Sequence, residues 1–288
     1  MENKIGIMQG RLSQPIDNRI QAFPTETWKE EFSKAEKIGF DLIEWIFDSY
    51  ENPILLDEGI NEIKNCMSKS KIRINSLCAD FFMDNLLFGI SKEQVAKNVE
   101  ILKKLIRQCS KLEIKIIELP FVDSSSLIPK NGMNELVENI KPILPLLEEQ
   151  KIILNLETDL PPEQFSDLLK KFNSSKIKAN YDIGNSISNG FDPEVEIKFL
   201  KDHIFNIHIK DRIIHGNTVS LGHGDVNFDV FFSILKKINY KHDLIIQGAR
   251  EDLDGIKMEP EQTCSKYLRF VKEYLSKVDN LEGRNNKQ

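Results

Sequence analysis

The feature that most constrains the fold of this 288-residue chain is a regular alternation of short strand-like segments with longer helix-like ones. The strand-like segments are apolar runs or alternate between apolar and polar residues, whereas the segments between them repeat apolar residues every three to four positions. Eight strands are predicted in chain order, at 4–8, 41–47, 72–79, 114–120, 152–157, 177–182, 204–210 and 243–249. This alternation predicts an α/β fold in which parallel strands are joined by helical crossovers.

Eight strand–helix units predict a single (β/α)8 TIM barrel, because such barrels typically need about 250 residues. No linker or low-complexity segment interrupts the series, so we expect residues 1–278 to form one domain and 279–288 a polar C-terminal tail. A doubly wound sheet is the main alternative, but no G-x-G-x-x-G follows the first strand. At the helix ends, Thr25 and Ser91 are predicted as N-terminal caps and Gly39 as a C-terminal stop.

The composition argues against a nucleic-acid or membrane partner. The net charge is −6 and the basic residues are scattered, whereas nucleic-acid binding needs a clustered basic face. No apolar run approaches a membrane span, and the opening "MENKIGIMQG" lacks the apolar core of a signal peptide. The cysteines form no C-x-x-C pair, so we expect idle thiols in a reducing cytoplasm. These cysteines are Cys66, Cys78, Cys109 and Cys264.

Polar residues close the last four strands, where the active site of a TIM barrel lies. In chain order these residues are Glu157, Asp182, His208 and Gln247. A carboxylate inside a barrel mouth is costly unless it is paired or bound to a cation. Two carboxylates, an imidazole and an amide oxygen suit one divalent cation. The oxygen ligands favour Mn²⁺ or Mg²⁺, and the imidazole also suits Zn²⁺ or Co²⁺.

Five motifs lie in order along strands five to eight, namely "LNLETD", "NYDIGN", "NIHIKDR", "LGHGDVNF" and "IIQGAR". With these motifs the whole chain resembles the xylose isomerase-like TIM-barrel superfamily of sugar isomerases and epimerases. The resemblance implies a metal-dependent isomerase or epimerase that acts on a sugar or sugar phosphate through an enediolate, with Glu157 as the base. It also implies that Glu157, Asp182, His208 and Gln247 hold the metal.

Two residues depart from the family pattern. Gln247 stands where the family has a glutamate, and Asn185 stands where many relatives have a substrate-contacting histidine. In the family's epimerases two glutamates flank the reacting carbon, and a glutamine cannot carry a proton at neutral pH. Isomerisation through a cis-enediolate needs one base, so Gln247 favours isomerisation. Glu118, at the end of strand four, is the candidate for a second catalytic acid.

Further polar residues near strand ends are candidates for substrate binding. They are Arg11, Glu44, Asn185, Lys210, Arg212 and Arg250. Three converging arginines would clamp a phosphate or a carboxylate. Lys210 would stabilise an enediolate or, more simply, form an ion pair with Asp211.

Three other functions stay open at this point. The chain could be a non-catalytic or regulatory sugar-binding barrel, with Gln247 and Asn185 marking lost chemistry. A metal-assisted lyase or dehydratase would also proceed through an enolate. An endonuclease IV-type nuclease is disfavoured, because it needs a histidine-rich zinc cluster and this acidic chain has five histidines. The expected partner is a small sugar, and a homodimer is an open alternative.

Overall fold

A computed structural model of the chain describes residues 3–17, 19–129, 132–253 and 256–285. Eight parallel strands form a closed barrel in which each strand pairs with its neighbours in sequence and the last pairs with the first. The strands are β1 (Ile5–Met8), β2 (Leu42–Ile46), β3 (Ser76–Cys78), β4 (Ile116–Phe121), β5 (Ile153–Thr158), β6 (Ile177–Asp182), β7 (Ile204–Ile209) and β8 (Asp243–Ile246). The predicted single (β/α)8 barrel is confirmed.

Helices connect the strands and surround the barrel. They are α1 (Trp28–Ile38), α2 (Asp57–Ser68), α3 (Phe81–Asp84), α4 (Lys92–Lys111), α5 (Met133–Ile140), α6 (Leu144–Gln150), α7 (Pro162–Phe172), α8 (Ile183–Ser188), α9 (Pro193–Leu200), α10 (Phe228–Lys237) and α11 (Pro260–Asn285). Short 3-10 turns cover Pro53–Leu55, Asp123–Ser125 and Lys141–Ile143. Two small antiparallel hairpins follow β7 and β8; they pair Asp211–Arg212 with Thr218–Val219 and Asp252–Leu253 with Ile256–Lys257. Among the described helices, none combines the length and apolarity that crossing a membrane requires.

Two of the three predicted helix ends are confirmed. The Ser91 hydroxyl accepts a hydrogen bond from the first turn of α4, and Gly39 ends α1 in the left-handed conformation that glycine favours. The prediction for Thr25 is wrong, because the helix begins only at Trp28. The Pro24 carbonyl accepts the backbone N–H of Trp28, so a turn occupies the chain before the helix starts.

The chain between β4 and β5 does not form one continuous helix, and the last helix extends into the predicted tail. Lys141–Ile143 forms a 3-10 turn between α5 and α6, since Pro142 lacks the N–H that a continuous helix needs. The predicted tail at 279–288 is helical up to Asn285, and its last three residues lie outside the described residues. The division into barrel and tail therefore stays a prediction.

The interior of the barrel is polar, although branched apolar side chains usually fill such a core. The outer faces of the strands pack on the helices; Trp45, for example, lies 5.3 Å from Trp28 of α1, ring centre to ring centre. The buried polar residues of the strands are Glu44, Ser76, Glu118, Asn155, Glu157, Asn180, Asp182, Asn206 and His208. This polar column leads to the C-terminal mouth of the barrel.

Outside the barrel, one buried carboxyl group makes the stability of the fold depend on pH. Glu196 of α9 accepts hydrogen bonds from the hydroxyl groups of Tyr181, at 2.8 Å, and Ser186. Burial raises the pKa of Glu196 from 4.5 to about 7. The folded chain therefore holds this proton more tightly than the unfolded chain does.

We expect the contribution of Glu196 to the free energy of unfolding to be complete below pH 4.5 and to be lost as the pH rises through 7. The loss is about 3 kcal/mol at 1.36 kcal/mol per pH unit. Urea unfolding at pH 5 and pH 8 should show a smaller pH dependence in Glu196→Gln than in the wild type. Glu194→Gln, at an exposed position of the same helix, is the control. Equal pH dependence in all three proteins would contradict the assignment.

Candidate metal centre and substrate cavity

A cavity of about 430 Å³ opens at the C-terminal mouth of the barrel. This size is within the range of small-molecule sites. Seven of the residues predicted from the sequence line it, namely Arg11, Glu118, Glu157, Asn185, Lys210, Arg212 and Gln247. Asp182 and His208 are buried beside them.

His208 of β7 is the centre of the site. Its Nε2 lies 2.7 Å from Glu44 Oε2 and 3.1 Å from Glu118 Oε2. Its Nδ1 lies 3.5 Å from Glu157 Oε2 and 3.9 Å from Asp182 Oδ2. One fully buried imidazole thus lies between two pairs of carboxyl groups.

The residues on the Nδ1 side fit a divalent cation. One ligand atom from each of Glu157, Asp182 and His208 lies within 4.8 Å of the other two. Gln247 Oε1 is buried and has no hydrogen-bond partner. An amide oxygen of this kind is costly to bury and is available as a ligand. Three of the four predicted ligands thus lie close enough to share one cation, and the part of Gln247 stays a prediction.

A register shift in β6 and two hydrogen bonds position Asp182 next to Glu157 and His208. The strand pairing shifts register between Ala179 and Asn180, which sets Asp182 opposite His208. Asp182 Oδ1 then accepts the backbone N–H of Asn185, at 2.8 Å, and caps α8. Its Oδ2 accepts a hydrogen bond from Lys210 Nζ at 3.0 Å.

Amide groups hold both oxygens of Glu157. Asn185 Nδ2 donates to Oε1 at 2.6 Å and Asn180 Nδ2 donates to Oε2 at 2.7 Å. Asn185 Oδ1 in turn accepts hydrogen bonds from Arg212 Nη1 at 2.9 Å and Lys210 Nζ at 3.3 Å. A network of four side chains thus fixes the orientation of the Glu157 carboxylate.

The charges around His208 shift several pKa values. Burial raises the pKa of Glu157, but the hydrogen bond and charge of His208, together with Lys210, outweigh it and lower the pKa below its ordinary value. Burial also lowers the pKa of His208, but the charges of Glu118 and Glu44 raise it well above its usual range. Burial raises the pKa of Glu118 well above its ordinary value; the charge of His208 opposes this, and the charges of Glu157 and Glu44 add to it. The pKa values of Glu157 and Glu118 are thus shifted in opposite directions.

The predicted ion pair between Lys210 and Asp211 is wrong. Successive residues of a strand point to opposite faces, so Lys210 follows His208 inward and pairs with Asp182. Asp211 accepts three backbone N–H groups from the following glycine-rich turn instead.

The three predicted arginines do not meet at one point. Arg212 contacts Asn185, whereas Arg250 donates to the carbonyls of Ser13 at 2.7 Å and Gly10 at 2.8 Å and lines an adjoining cavity of about 260 Å³. Arg11 donates to the carbonyls of Gly248, at 3.0 Å, and Ile20. Both Arg11 and Arg250 therefore join the segment after β1 to the segment after β8.

Glu44 lies away from the cavity. It is fully buried, and its carboxylate contacts His208 and accepts a hydrogen bond from Asn206 Nδ2 at 2.8 Å. In this position it supports the imidazole ring, which is a different task from the substrate contact that the sequence predicts.

A second chain of polar groups crosses the cavity wall, and the sequence analysis does not single it out. Gln247 Nε2 donates to Gln21 Oε1 at 2.8 Å, and Gln21 Nε2 donates to Asp80 Oδ2 at 2.7 Å. The Cys78 thiol donates to Asp80 Oδ1 at 3.1 Å. Asp80 follows directly after a predicted strand, which is a usable sequence signal, but Gln21 lies in a loop without any pattern.

Sequence comparisons support the same architecture. A sequence model described as a xylose isomerase-like TIM barrel matches residues 32–274. The L-ribulose-5-phosphate 3-epimerase UlaE of Escherichia coli (strain SMS-3-5 / SECEC) is 23% identical over 288 residues, an alignment that covers 93% of this chain and 98% of that protein.

Solved structures share the fold at low identity. The IOLI protein, whose structure holds a zinc atom, has a TM-score of 0.77 at 16% identity, covering 96% of this chain and 99% of that one. The D-psicose 3-epimerase of Clostridium cellulolyticum H10, solved with D-tagatose, has a TM-score of 0.72 at 16% identity, covering 94% and 99%.

We expect the protein to bind one Mn²⁺ per chain and Gln247→Glu to bind it roughly ten-fold more tightly or better. The added carboxylate would lie beside the cation, where opposite charges attract by several kcal/mol. Calorimetric titration with Mn²⁺ measures the affinity. Gln164→Glu adds the same charge at an exposed position of α7 and is the control. Equal affinities in the two variants would argue against a contact between Gln247 and the cation.

Proposed function

The chain belongs to the xylose isomerase-like TIM-barrel family, and we propose that it is a metal-dependent isomerase or epimerase acting on a sugar or sugar phosphate through an enediolate. The observation that carries the proposal is the Glu157 carboxylate, which faces the cavity next to Asp182 and His208. The curated relative and one of the solved structures carry the names of sugar epimerases, which belong to the isomerase class.

In this proposal Glu157, Asp182, His208 and the Gln247 carbonyl hold one divalent cation. Mn²⁺ or Mg²⁺ suits the three oxygen ligands best, and Zn²⁺ or Co²⁺ suits the imidazole. When bound, the cation would polarise the substrate's carbonyl group and stabilise the negative charge that develops beside it.

Glu157 removes the proton from the carbon next to the substrate's carbonyl group. Its lowered pKa keeps it ionised at neutral pH and also makes it a weaker base than an ordinary carboxylate. Asn180 and Asn185 hold both carboxylate oxygens, so that the base keeps one orientation. Lys210 and Arg212 line the cavity beside Asn185 and supply donors for the substrate's hydroxyl or enediolate oxygens.

Glu44 and Glu118 support the ring of His208 from its Nε2 side. Carboxylates that accept the outer N–H of a ligating histidine fix its tautomer and raise its basicity. With Nε2 engaged by Glu44 at 2.7 Å, Nδ1 faces Glu157 and Asp182, and a cation bound there would displace the proton that the raised pKa of His208 retains. Glu118 also lines the cavity, so its role as a second acid stays open at this point.

Two aspects of the setting stay predictions. We propose a cytoplasmic location, which the four free cysteines support. A homodimer remains an alternative to the monomer. Against a trinuclear zinc nuclease stands the composition of the mouth, where the described cavity and its ligand set include one histidine, His208.

Proton exchange tests the proposal and distinguishes its two reactions. The metal-loaded protein is incubated in D₂O with L-ribulose 5-phosphate, D-psicose and D-tagatose, and proton NMR follows each carbon. Exchange at C3 with formation of the 3-epimer indicates epimerisation, and exchange at C1 with formation of an aldose indicates isomerisation. Absence of exchange with every sugar would favour a non-catalytic barrel.

Glu157→Gln is expected to lower the rate of interconversion by 10²–10⁴-fold, the usual contribution of a general base. Glu163→Gln, at an exposed position of α7, should leave the rate unchanged. Metal content is measured in both variants, so that loss of the base is distinguished from loss of the cation. A metal-loaded Glu157→Gln protein with a rate within ten-fold of the wild type would exclude Glu157 as the base.

A further inference from the structure

We propose that Asp80 is a second catalytic residue of the cavity, the acid that delivers a proton to the substrate face opposite Glu157. The inference rests on the proposed function and selects one of its two reactions. An enzyme with proton carriers on both faces of a carbon inverts that carbon, so the protein would be an epimerase.

Inversion at a carbon needs a second proton carrier, and Gln247 cannot serve as one. Inversion requires one group that removes a proton and another that returns one from the opposite face. Gln247 of the segment after β8 has neither an acidic proton nor a basic lone pair of useful strength at neutral pH. A second carboxyl group on the same side of the cavity as Gln247 would restore the missing function.

Asp80 occupies that side of the cavity. It lines the cavity together with Glu157 and Gln247. A single amide group, that of Gln21, separates it from Gln247, with hydrogen bonds of 2.8 Å on one side and 2.7 Å on the other. The strand that precedes Asp80 lies two places from β5, which carries Glu157, and three places from β8, which precedes Gln247.

The surroundings of Asp80 suit an acid rather than a structural anion. Its hydrogen-bond partners are the neutral amide of Gln21 and the thiol of Cys78. Among the described residues it forms no ion pair with a lysine or arginine, in contrast to Asp182, which pairs with Lys210 at 3.0 Å. Burial raises the pKa of Asp80; the hydrogen bonds donated by Gln21 and Cys78 oppose this, and the negative charges of Asp48 and Glu157 add to it, so that the pKa is raised on balance. Environments that separate the pKa values of two carboxyl groups in one site are typical of an acid and a base.

Glu118, the alternative suggested by the sequence, is bound differently. Its Oε2 lies 3.1 Å from His208 Nε2, so a proton transferred from Glu118 would alter the support of a metal-ligand histidine. Asp80 is hydrogen-bonded to none of the four proposed ligands directly, and Gln21 lies between it and Gln247.

The proposed step balances. Glu157 takes the proton at C3 of a 2-ketose, and the electron pair of the broken C–H bond enters the enediolate. The enediolate carbon then takes the proton of the Asp80 carboxyl group from the opposite face, and a new C–H bond forms. Asp80 ends as a carboxylate and Glu157 as a carboxylic acid; exchange of one proton with water at each group restores the starting state.

The test uses Asp80→Asn, which keeps the shape of the side chain and removes the acid. The probes are two pairs of 3-epimers, L-ribulose 5-phosphate with L-xylulose 5-phosphate and D-psicose with D-fructose, each supplied separately in D₂O. We expect inversion to fall by 10²–10⁴-fold. In this variant, the epimer whose C3 proton faces Glu157 should still exchange that proton at a rate within ten-fold of the wild type. The other epimer should show no exchange at C3.

Two variants accompany it. Glu118→Gln should not produce this difference between epimers, and Asp167→Asn, at an exposed position of α7, should behave as the wild type. Metal content and circular dichroism of Asp80→Asn should match the wild type, which a collapsed cavity would not allow.

Each outcome decides the matter. Inversion at the wild-type rate in Asp80→Asn overturns the proposal, as does equal loss of exchange from both epimers in a folded, metal-loaded protein. The epimer-specific pattern in Glu118→Gln instead would transfer the role to Glu118. A wild-type protein that exchanges C1 alone would overturn the role of Asp80 and leave an isomerase. A wild type inert towards all probes would refute the function and the inference together.

Discussion

The mouth of this barrel depends on one imidazole ring placed among four carboxyl groups. Burying a single charged group costs several kcal/mol, and the polar interior of this barrel contains several such groups. His208 offsets part of that cost because each of its nitrogens faces two carboxyl groups, and Asn180, Asn206 and Lys210 supply further donors. The orientation of the proposed ligands, and of the base among them, follows from this arrangement.

The same arrangement gives chemically similar groups different tasks. The charges of His208 and Lys210 lower the pKa of Glu157, whereas burial raises that of Glu118. Asp80, which follows the strand next to that of Glu118, is bound by an amide and a thiol. Which carboxyl group acts as acid and which as base in this cavity therefore depends on the neighbours of each group, because the residue types are the same or similar.

The sequence predicts what local periodicity determines. The alternation along β7 correctly faces His208 and Lys210 into the barrel, and the order of strand ends brings Glu157 and Asp182 towards them. Contacts between distant segments are not readable in this way. The link from Gln21 to Asp80 depends on how a loop after β1 folds over the mouth, and Arg250 finds backbone carbonyls more than two hundred positions away. Thr25 fails as a cap because a proline turn precedes the helix.

The hydrogen bonds of Arg11 and Arg250 to distant backbone carbonyls affect how the mouth of the barrel folds. These side chains join segments 237 to 240 positions apart, at the line where the last strand meets the first. Gln21 accepts hydrogen bonds from Arg11 at 3.3 Å and, across that line, from Gln247 at 2.8 Å. Contacts over such distances in sequence are entropically the costliest to form. The wall of the cavity at this line therefore forms only when the barrel closes. During synthesis from the N-terminus, it cannot form until the last quarter of the chain has been made.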